Sequence, residues 1–318
     1  NKYGVPLSIF NSPKSSKFIV LEVGMDKKGE IDYLSKLIRP NIALITNISY
    51  AHIENFENLG QIAKAKSEII DNIIPGGTMI INKDDKYYNY FFKKAKNRNL
   101  KIISFSKKDR NADIVYLNQK QYKKKYIINF KVYNKKKSFL ISKNLLNYKE
   151  NILASLSIIV SYFEIENLNK NLFLNFSIPK SRGSIILHNK TSNKLTIIDE
   201  SYNSNPLSLK FALEKFDHEF KSNKKFLLIG NMLELGKYSK KLHIKIAKYI
   251  NKSKVNKVYV YGNQVKHTYN KLKPQIRGKI LNNYMDILNL INKELPNNSF
   301  LMVKGSNSTG LNKIVQNL

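Results

Sequence analysis

The chain has 318 residues, 55 of them lysine or arginine against 23 acidic ones, a formal charge of +32 and no cysteine. That length points to two domains, each able to bury a core, and the lack of cysteine excludes disulfides, thiolate metal sites and a cysteine nucleophile. The charge suggests nucleic acid at first sight, but only Arg39, Arg98, Arg110, Arg182 and Arg277 are arginines and the lysines are scattered among Asn, Ile and Tyr, so solvated lysines on most surfaces are the simpler reading.

The chain starts at Asn1 rather than Met, and its first residues read as the middle of a loop, so a fragment is expected. Residues 17–105 then alternate short apolar runs with amphipathic stretches. The pattern predicts strand 17–22, helix 29–38, strand 41–46, helix 58–74, strand 77–82, helix 85–96 and strand 100–105, which implies a parallel sheet covered by helices on both faces. Between about 112 and 142 shorter β runs such as Tyr126-Ile-Ile-Asn-Phe-Lys-Val132 predict antiparallel strands appended to the sheet edge. A helix over 150–163 follows. Residues 164–180 are Asn- and Lys-rich and close in Ile178-Pro179, a hinge signal. A second α/β alternation comes next, with strands near 194–198, 225–230, 256–261 and 299–303 and helices at 206–218, 239–251, 263–272, 284–294 and 310–317. Two such domains joined near residue 180 are expected to form a cleft at the carboxyl ends of their strands. No apolar run is long enough to span a bilayer and no signal peptide opens the chain, so a cytoplasmic protein without membrane insertion is expected.

The residues that carry chemistry sit at strand ends. Glu22 ends the first predicted strand, and His52 lies in the loop after the second. On the helix that follows, Leu59, Ile62, Ala63, Ile69, Ile70 and Ile73 form an apolar stripe. Its 3.6-residue rhythm places Lys66 on that stripe and Lys64 outside it. A buried, unpaired ammonium is costly, so Lys66 calls for a polar site. Glu22 alone reads as a solvent-facing strand terminus and His52 alone is balanced between a satisfied loop histidine and a ligand; with Lys66 they suggest a site for Mg²⁺, which prefers few protein ligands plus phosphates. Arg182 follows the hinge and suits a phosphate or carboxylate. Asp199 ends a strand before a polar loop, in which Asn205 and Pro206 form an Ncap–N1 pair. Lys304 ends the last strand and could meet an oxyanion or merely cap the strand. Gly230-Asn-Met-Leu-Glu-Leu-Gly236-Lys237 mimics a phosphate loop, but five residues separate its glycines and Tyr238 stands where Ser or Thr is needed.

Taken together, these segments resemble the Mur ligase superfamily, in its D-alanyl-D-alanine-adding branch. The matching pieces run in order: Asn1-Lys-Tyr-Gly-Val-Pro6, Glu22-Val-Gly-Met with Gly29-Glu30-Ile31, Thr46-Asn47 before Ala51-His52, and Ala65-Lys66-Ser-Glu68-Ile69. They continue with Asn151 before Ala154, Arg182-Gly183, Asp199 with Tyr202-Asn203-Ser-Asn205-Pro206, Met232-Leu-Glu-Leu-Gly236 and Val303-Lys-Gly-Ser306. The resemblance implies an α/β protein: most of a central ATPase domain, mostly parallel with appended antiparallel strands, followed by a Rossmann-like C-terminal domain. It also implies ATP-dependent addition of D-alanyl-D-alanine to UDP-N-acetylmuramoyl-tripeptide through an acyl phosphate, in peptidoglycan precursor synthesis, by a monomer.

Carried over residue by residue, Glu22 and His52 would hold Mg²⁺, and Lys66 would be the family's carbamylated lysine. Arg182 and Asp199 would contact ATP, Asn151 would lie near the base, and Asn203, Asn205 and Lys304 are weaker candidates for nucleotide or acyl-acceptor contacts. Upstream of Asn151 the family shows Gly-x-His-Asn where this chain has Leu145-Leu-Asn147-Tyr148. The family's UDP-sugar domain and Gly-Lys-Thr loop fall ahead of Asn1, so residues 1–318 alone are expected not to turn over ATP. The alternatives are a non-catalytic polyanion-binding remnant of a ligase scaffold and a related ligase of the folylpolyglutamate type.

Overall fold

The computed structural model describes residues 1–190, 193–221 and 224–318, and the chain divides into two compact units. The first comprises Asn1–Ser49 and Asn55–Phe176; the second comprises Tyr50–Glu54 and Ser177–Leu318.

In the first unit, helices α1 (Gly4–Phe10) and α2 (Glu30–Ile38) precede strand β1 (Ile42–Ile45). Helix α3 (Leu59–Lys66) and a short turn of helix, α4 (Glu68–Asp71), lead to β2 (Thr78–Asn82), α5 (Tyr88–Asn97) and β3 (Lys101–Ser106). Strands β4 (Ile114–Tyr122), β5 (Lys125–Val132) and β6 (Lys135–Ile141) are followed by α6 (Lys149–Ile159). The sheet runs β1-β2-β3-β4-β5-β6, parallel as far as β4 and antiparallel beyond it. Every residue of β2 is buried, which is why that strand reads as a continuous apolar run. The appended strands are joined by two-residue turns in which Lys123 and Tyr133 take positive φ, the backbone hand that suits tight hairpins.

Three expectations for this unit are corrected. Residues 17–22 form no strand, and Phe18, Ile19 and Val20 are 50%, 51% and 85% exposed. An apolar run becomes a strand only with a ladder partner, and β1 is left as the sheet edge among the described residues. The helix expected over 58–74 breaks at Ser67, whose hydroxyl donates to Lys64 O at 2.6 Å, a local bond that competes with the helix ladder. The opening residues, expected as loop, contain α1.

The second unit contains β7 (Ser184–Lys190), β8 (Asn193–Glu200), α7 (Pro206–Glu219), β9 (Lys225–Gly230), α8 (Ser239–Ile250) and β10 (Lys257–Tyr261). It ends with α9 (Lys266–Tyr269), β11 (Arg277–Leu281), α10 (Tyr284–Asn289), β12 (Ser299–Lys304) and α11 (Leu311–Gln316). Its sheet order is β11-β10-β9-β12-β8-β7, all parallel except the edge pair β7–β8. The chain moves outward from β9 to β11 and then returns to β12 on the other side of β9. The topological switch point therefore lies between the carboxyl ends of β9 and β12, where open α/β sheets bind ligands. Leu228, Ile287, Leu301 and Leu311 are among the side chains of one continuous core on this sheet. Strands β7 and β11 escape the sequence pattern because both are edges: Ile185 and Leu187 of β7 face solvent, and β11 carries Gly278 and two cations. Among the described residues no helix is long and apolar enough to cross a membrane.

Candidate active site

Lys66 is the last residue of α3, and the helix periodicity turns it inward while Lys64 stays exposed. Its Nζ donates to the carbonyl of Asn47, just past β1, at 3.2 Å. Removal from water pushes its pKa below the ordinary lysine value, and the charge of Asp85 opposes the shift. Asp85 was not a sequence candidate. It braces the loop that receives Lys66, accepting Ile48 N and Tyr87 N at 2.8 Å each. Asn82 Nδ2 adds a bond to Thr46 O at 3.0 Å. Lys66 thus meets a built polar corner and bonds a carbonyl there rather than Glu22, which is exposed. Glu68 caps the start of α2, accepting Gly29 N at 2.9 Å and Asp32 N at 3.1 Å. Asn151 lies exposed in the first turn of α6.

His52 belongs to the second unit despite its place in the sequence. Its backbone is left-handed, φ 57°, and its Nδ1 lies 2.9 Å from Glu234 Oε2. Glu54 N donates to Glu234 O at 3.1 Å.

The remaining candidates cluster where β8 ends. Asp199 is 1% exposed; its Oδ2 accepts Ser181 Oγ at 2.8 Å, and its Oδ1 accepts the amide of Ser201 at 3.1 Å as well as the Ser201 hydroxyl. Gly183 N donates to Asp199 O at 2.7 Å. The enclosed carboxylate thus ties the 181–183 turn to the 199–202 loop, which corrects the expectation of direct ATP contact. Arg182 is held on the surface over the ring of Tyr202, 4.1 Å from its centroid. Lys304 is 2% exposed, and its Nζ bonds Asn203 O at 3.0 Å and Glu200 O at 3.5 Å with the Glu200 carboxylate at 3.8 Å. Burial lowers its pKa, opposed by Glu200. Asn203 is exposed, and its Oδ1 accepts Ser204 N at 2.7 Å. Asn205 is the N-cap of α7 in a reciprocal box with Ser208, so the structure assigns it to helix capping rather than ligand contact.

Sequence reasoning missed a cavity of about 340 Å³ at the carboxyl ends of β9, β10 and β11, lined by Asn231, Tyr261, Asn263, Lys266, Asn282 and Thr309 among others. The strand order signals it, but the order is legible only once β11 is known to be a strand. The nearby Gly230–Lys237 segment is no phosphate loop, as its spacing implied. A Cβ on Gly236 would stand 2.8 Å from Glu54 Cβ, so its backbone is used for packing.

Among the described residues no group of three or more histidine or carboxylate side chains converges as a metal cage. The expected donors therefore do not form an all-protein site. A carboxylate such as Glu22 suits a hard cation that completes its shell with phosphate oxygens and water.

Residues 1–159 match the Mur ligase middle domain and residues 186–307 the Mur ligase, glutamate ligase domain. The UDP-N-acetylmuramoyl-tripeptide–D-alanyl-D-alanine ligase of Rickettsia prowazekii is 31% identical over 99% of this chain and 69% of its own length. The enzyme of that name from Buchnera aphidicola subsp. Acyrthosiphon pisum is 31% identical over 100% of this chain and 68% of its own. Among solved structures, MurF from Acinetobacter baumannii aligns with a TM-score of 0.84 at 23% identity, over 99% of this chain and 67% of that one. MurF ligase from Thermotoga maritima in complex with ADP gives 0.79 at 22% identity, over 99% and 70%. At those identities the structural likeness speaks for the fold.

Proposed function

The chain belongs to the Mur ligase family, and we propose from this that it adds D-alanyl-D-alanine to UDP-N-acetylmuramoyl-tripeptide at the expense of ATP. The observation that carries the reading is the 31% identity to an enzyme of that name across 99% of this chain. The reaction is peptidoglycan precursor synthesis by a carbon–nitrogen ligase, in the cytoplasm and as a monomer. Residues 1–178 serve as ATP-binding middle domain and 179–318 as C-terminal domain.

The substrate carboxylate takes the γ-phosphoryl group of ATP, breaking the β–γ anhydride bond and releasing ADP, to give an acyl phosphate. The amine of the dipeptide then attacks that carbonyl, and phosphate leaves. Such chemistry is largely positioning and charge neutralisation. Glu22, His52 and carbamylated Lys66 are the residues that would hold Mg²⁺, which neutralises phosphate charge when bound. Lys66 supports this because its lowered pKa increases the fraction of neutral amine, the form that adds CO₂. Arg182, fixed over Tyr202, offers a planar cation to phosphate oxygens. Asp199 and Lys304 act behind it by holding the 181–183 and 200–203 loops. Asn203, on the held loop, and Asn151 remain candidates for nucleotide or acyl-acceptor contacts.

The test is complementation in a bacterium depleted of its own D-alanyl-D-alanine-adding ligase, using the gene for this chain with its natural flanking sequence. Growth with accumulation of the UDP-linked pentapeptide is expected. Persistence of the tripeptide precursor would overturn the reading, and salt-sensitive binding to generic nucleic acid would favour the polyanion alternative instead.

A further inference from the structure

Residues 114–149, which include the antiparallel strands β4–β6, carry ten lysines and no acidic residue, arginine or histidine. Lysine is common along the whole chain, but nowhere in this segment is its charge balanced. Elsewhere Lys83, Lys94 and Lys279 each meet a carboxylate, of Asp109, Asp71 and Glu294.

The alternation of β5 sorts the lysines of the segment onto two faces. Ile128, Phe130 and Val132 are fully buried, so Lys125 and Lys131 fall on the opposite, outward face. The register sets Tyr122 opposite Lys125, Lys120 opposite Ile127 and Lys136 opposite Lys131, which assigns them to that outward face too. On the inner side Glu166 pairs with Lys135, and its carbonyl accepts Lys137 Nζ at 3.0 Å. No acid serves the outward set. Lys120, Lys125 and Lys136, with Lys123 and Lys124 in the β4–β5 turn, are exposed and make no ion pair among the described residues. Tyr122 is 49% exposed beside them, with Lys123 Nζ 5.9 Å from its ring centroid. The middle of the face is a polar ladder: Asn129 Nδ2 donates to Asn118 Oδ1 and Ser138 Oγ to Asn129 Oδ1, both at 2.6 Å.

The fold does not call for this arrangement. Lys131 and Lys136 directly opposite each other cost stability. Protection of an exposed edge accounts for lysines on β6, the last strand of the sheet, but neither β4 nor the β4–β5 turn lies on that edge. We infer that the outward face of β4–β6 and the β4–β5 turn form a docking surface for an anionic lipid bilayer. Unpaired lysines on an open sheet face and a turn reach a planar anionic partner together, and each raises the partition about fivefold near such a surface. An exposed tyrosine among them suits the headgroup level. A nucleic-acid strand asks instead for a row of stacking rings and favours arginine; the turn offers one exposed tyrosine and no arginine. The surface is separate from the ligase reaction, since no residue assigned to that site lies on β4–β6.

The experiment sediments the 318-residue chain with vesicles of phosphatidylcholine, alone or mixed with phosphatidylglycerol, over a range of salt. Binding is expected only to the vesicles that contain phosphatidylglycerol, weakening as salt rises. K123Q/K124Q/K125Q should lower the partition by about 100-fold, whereas K123R/K124R/K125R, which keeps the charge, should retain it. K240Q/K241Q/K248Q removes the same charge from exposed positions of α8 and should bind much as the parent does. No binding to the phosphatidylglycerol vesicles, or an equal loss in the α8 variant and the turn variant, would overturn the inference. Preferential binding of a mixed-sequence RNA oligonucleotide, abolished by K123Q/K124Q/K125Q, would assign the face to nucleic acid and overturn it as well.

Discussion

Lys66 in the first unit and Lys304 in the second are both drawn out of water, and their partners differ. Lys304 is surrounded: two carbonyls and the Glu200 carboxylate lie within 3.8 Å of its Nζ. Lys66 bonds one carbonyl at 3.2 Å and feels Asp85 at longer range. Burial lowers the pKa of both, but the consequences diverge. A fully partnered ammonium pins the loops around it. A sparsely partnered one is a strained cation that gains by becoming neutral or by reacting. The same residue type therefore serves structure in one unit and, under the proposed function, chemistry in the other.

The largest expected effect comes from removing Lys66, the lysine proposed to react. Lys66→Met should lower ligase turnover by at least about 10²- to 10³-fold, the scale of losing a group that stabilises transition-state charge. Its urea midpoint should stay unchanged or rise, because a desolvated cation has been deleted. A large loss of stability would place Lys66 with Lys304 as a structural pin. The converse substitution sharpens the contrast. Lys304→Met should destabilise the fold by about 2 kcal/mol, since the Asn203 carbonyl and the half-buried Glu200 carboxylate lose the charged donor that ties their loop to β12. Denaturant unfolding measures it.

The sequence showed half of this comparison. Periodicity alone put Lys66 inward and Lys64 outward, and most central strands were legible as apolar runs. Lys304 was ambiguous because a strand-end lysine has the same local signature whether it meets a ligand or its own chain; the Asn203 carbonyl that decides the matter is 101 residues away. Edge strands β7 and β11 were missed for a related reason, since edges lack the two-sided burial that makes a strand readable. Glu234 was quoted within the Met232-Leu-Glu-Leu-Gly236 match but given no role, because its neighbour His52 is distant in sequence and only the fold brings them together. Asp199 showed the reverse failure. Its strand-end position suggested a ligand contact, whereas its carboxylate is consumed by Ser181 and Ser201.

Smaller effects follow from residues assigned to scaffolding. Asn205→Ala should cost about 1 kcal/mol by losing the cap of α7, with turnover unchanged; a marked rise in KM would return Asn205 to the site. The smallest effect concerns pH. Burial, aided by the charge of His267, lowers the pKa of His243 from about 6.5, while its bond to Ser239 opposes the shift. The native state then binds fewer protons than the unfolded one between that lowered value and about 6.5, so stability should fall as the pH drops through this window. Equilibrium unfolding across the window should show the slope, and His243→Gln should flatten it.

The contrast between the two lysines is tested most directly by ¹³C NMR of the chain equilibrated with ¹³C-bicarbonate. A carbamate carbonyl signal should appear, grow as pH rises toward the lowered pKa of Lys66, and vanish in Lys66→Met. Absence of any carbamate signal, or a signal that survives Lys66→Met, would contradict the account.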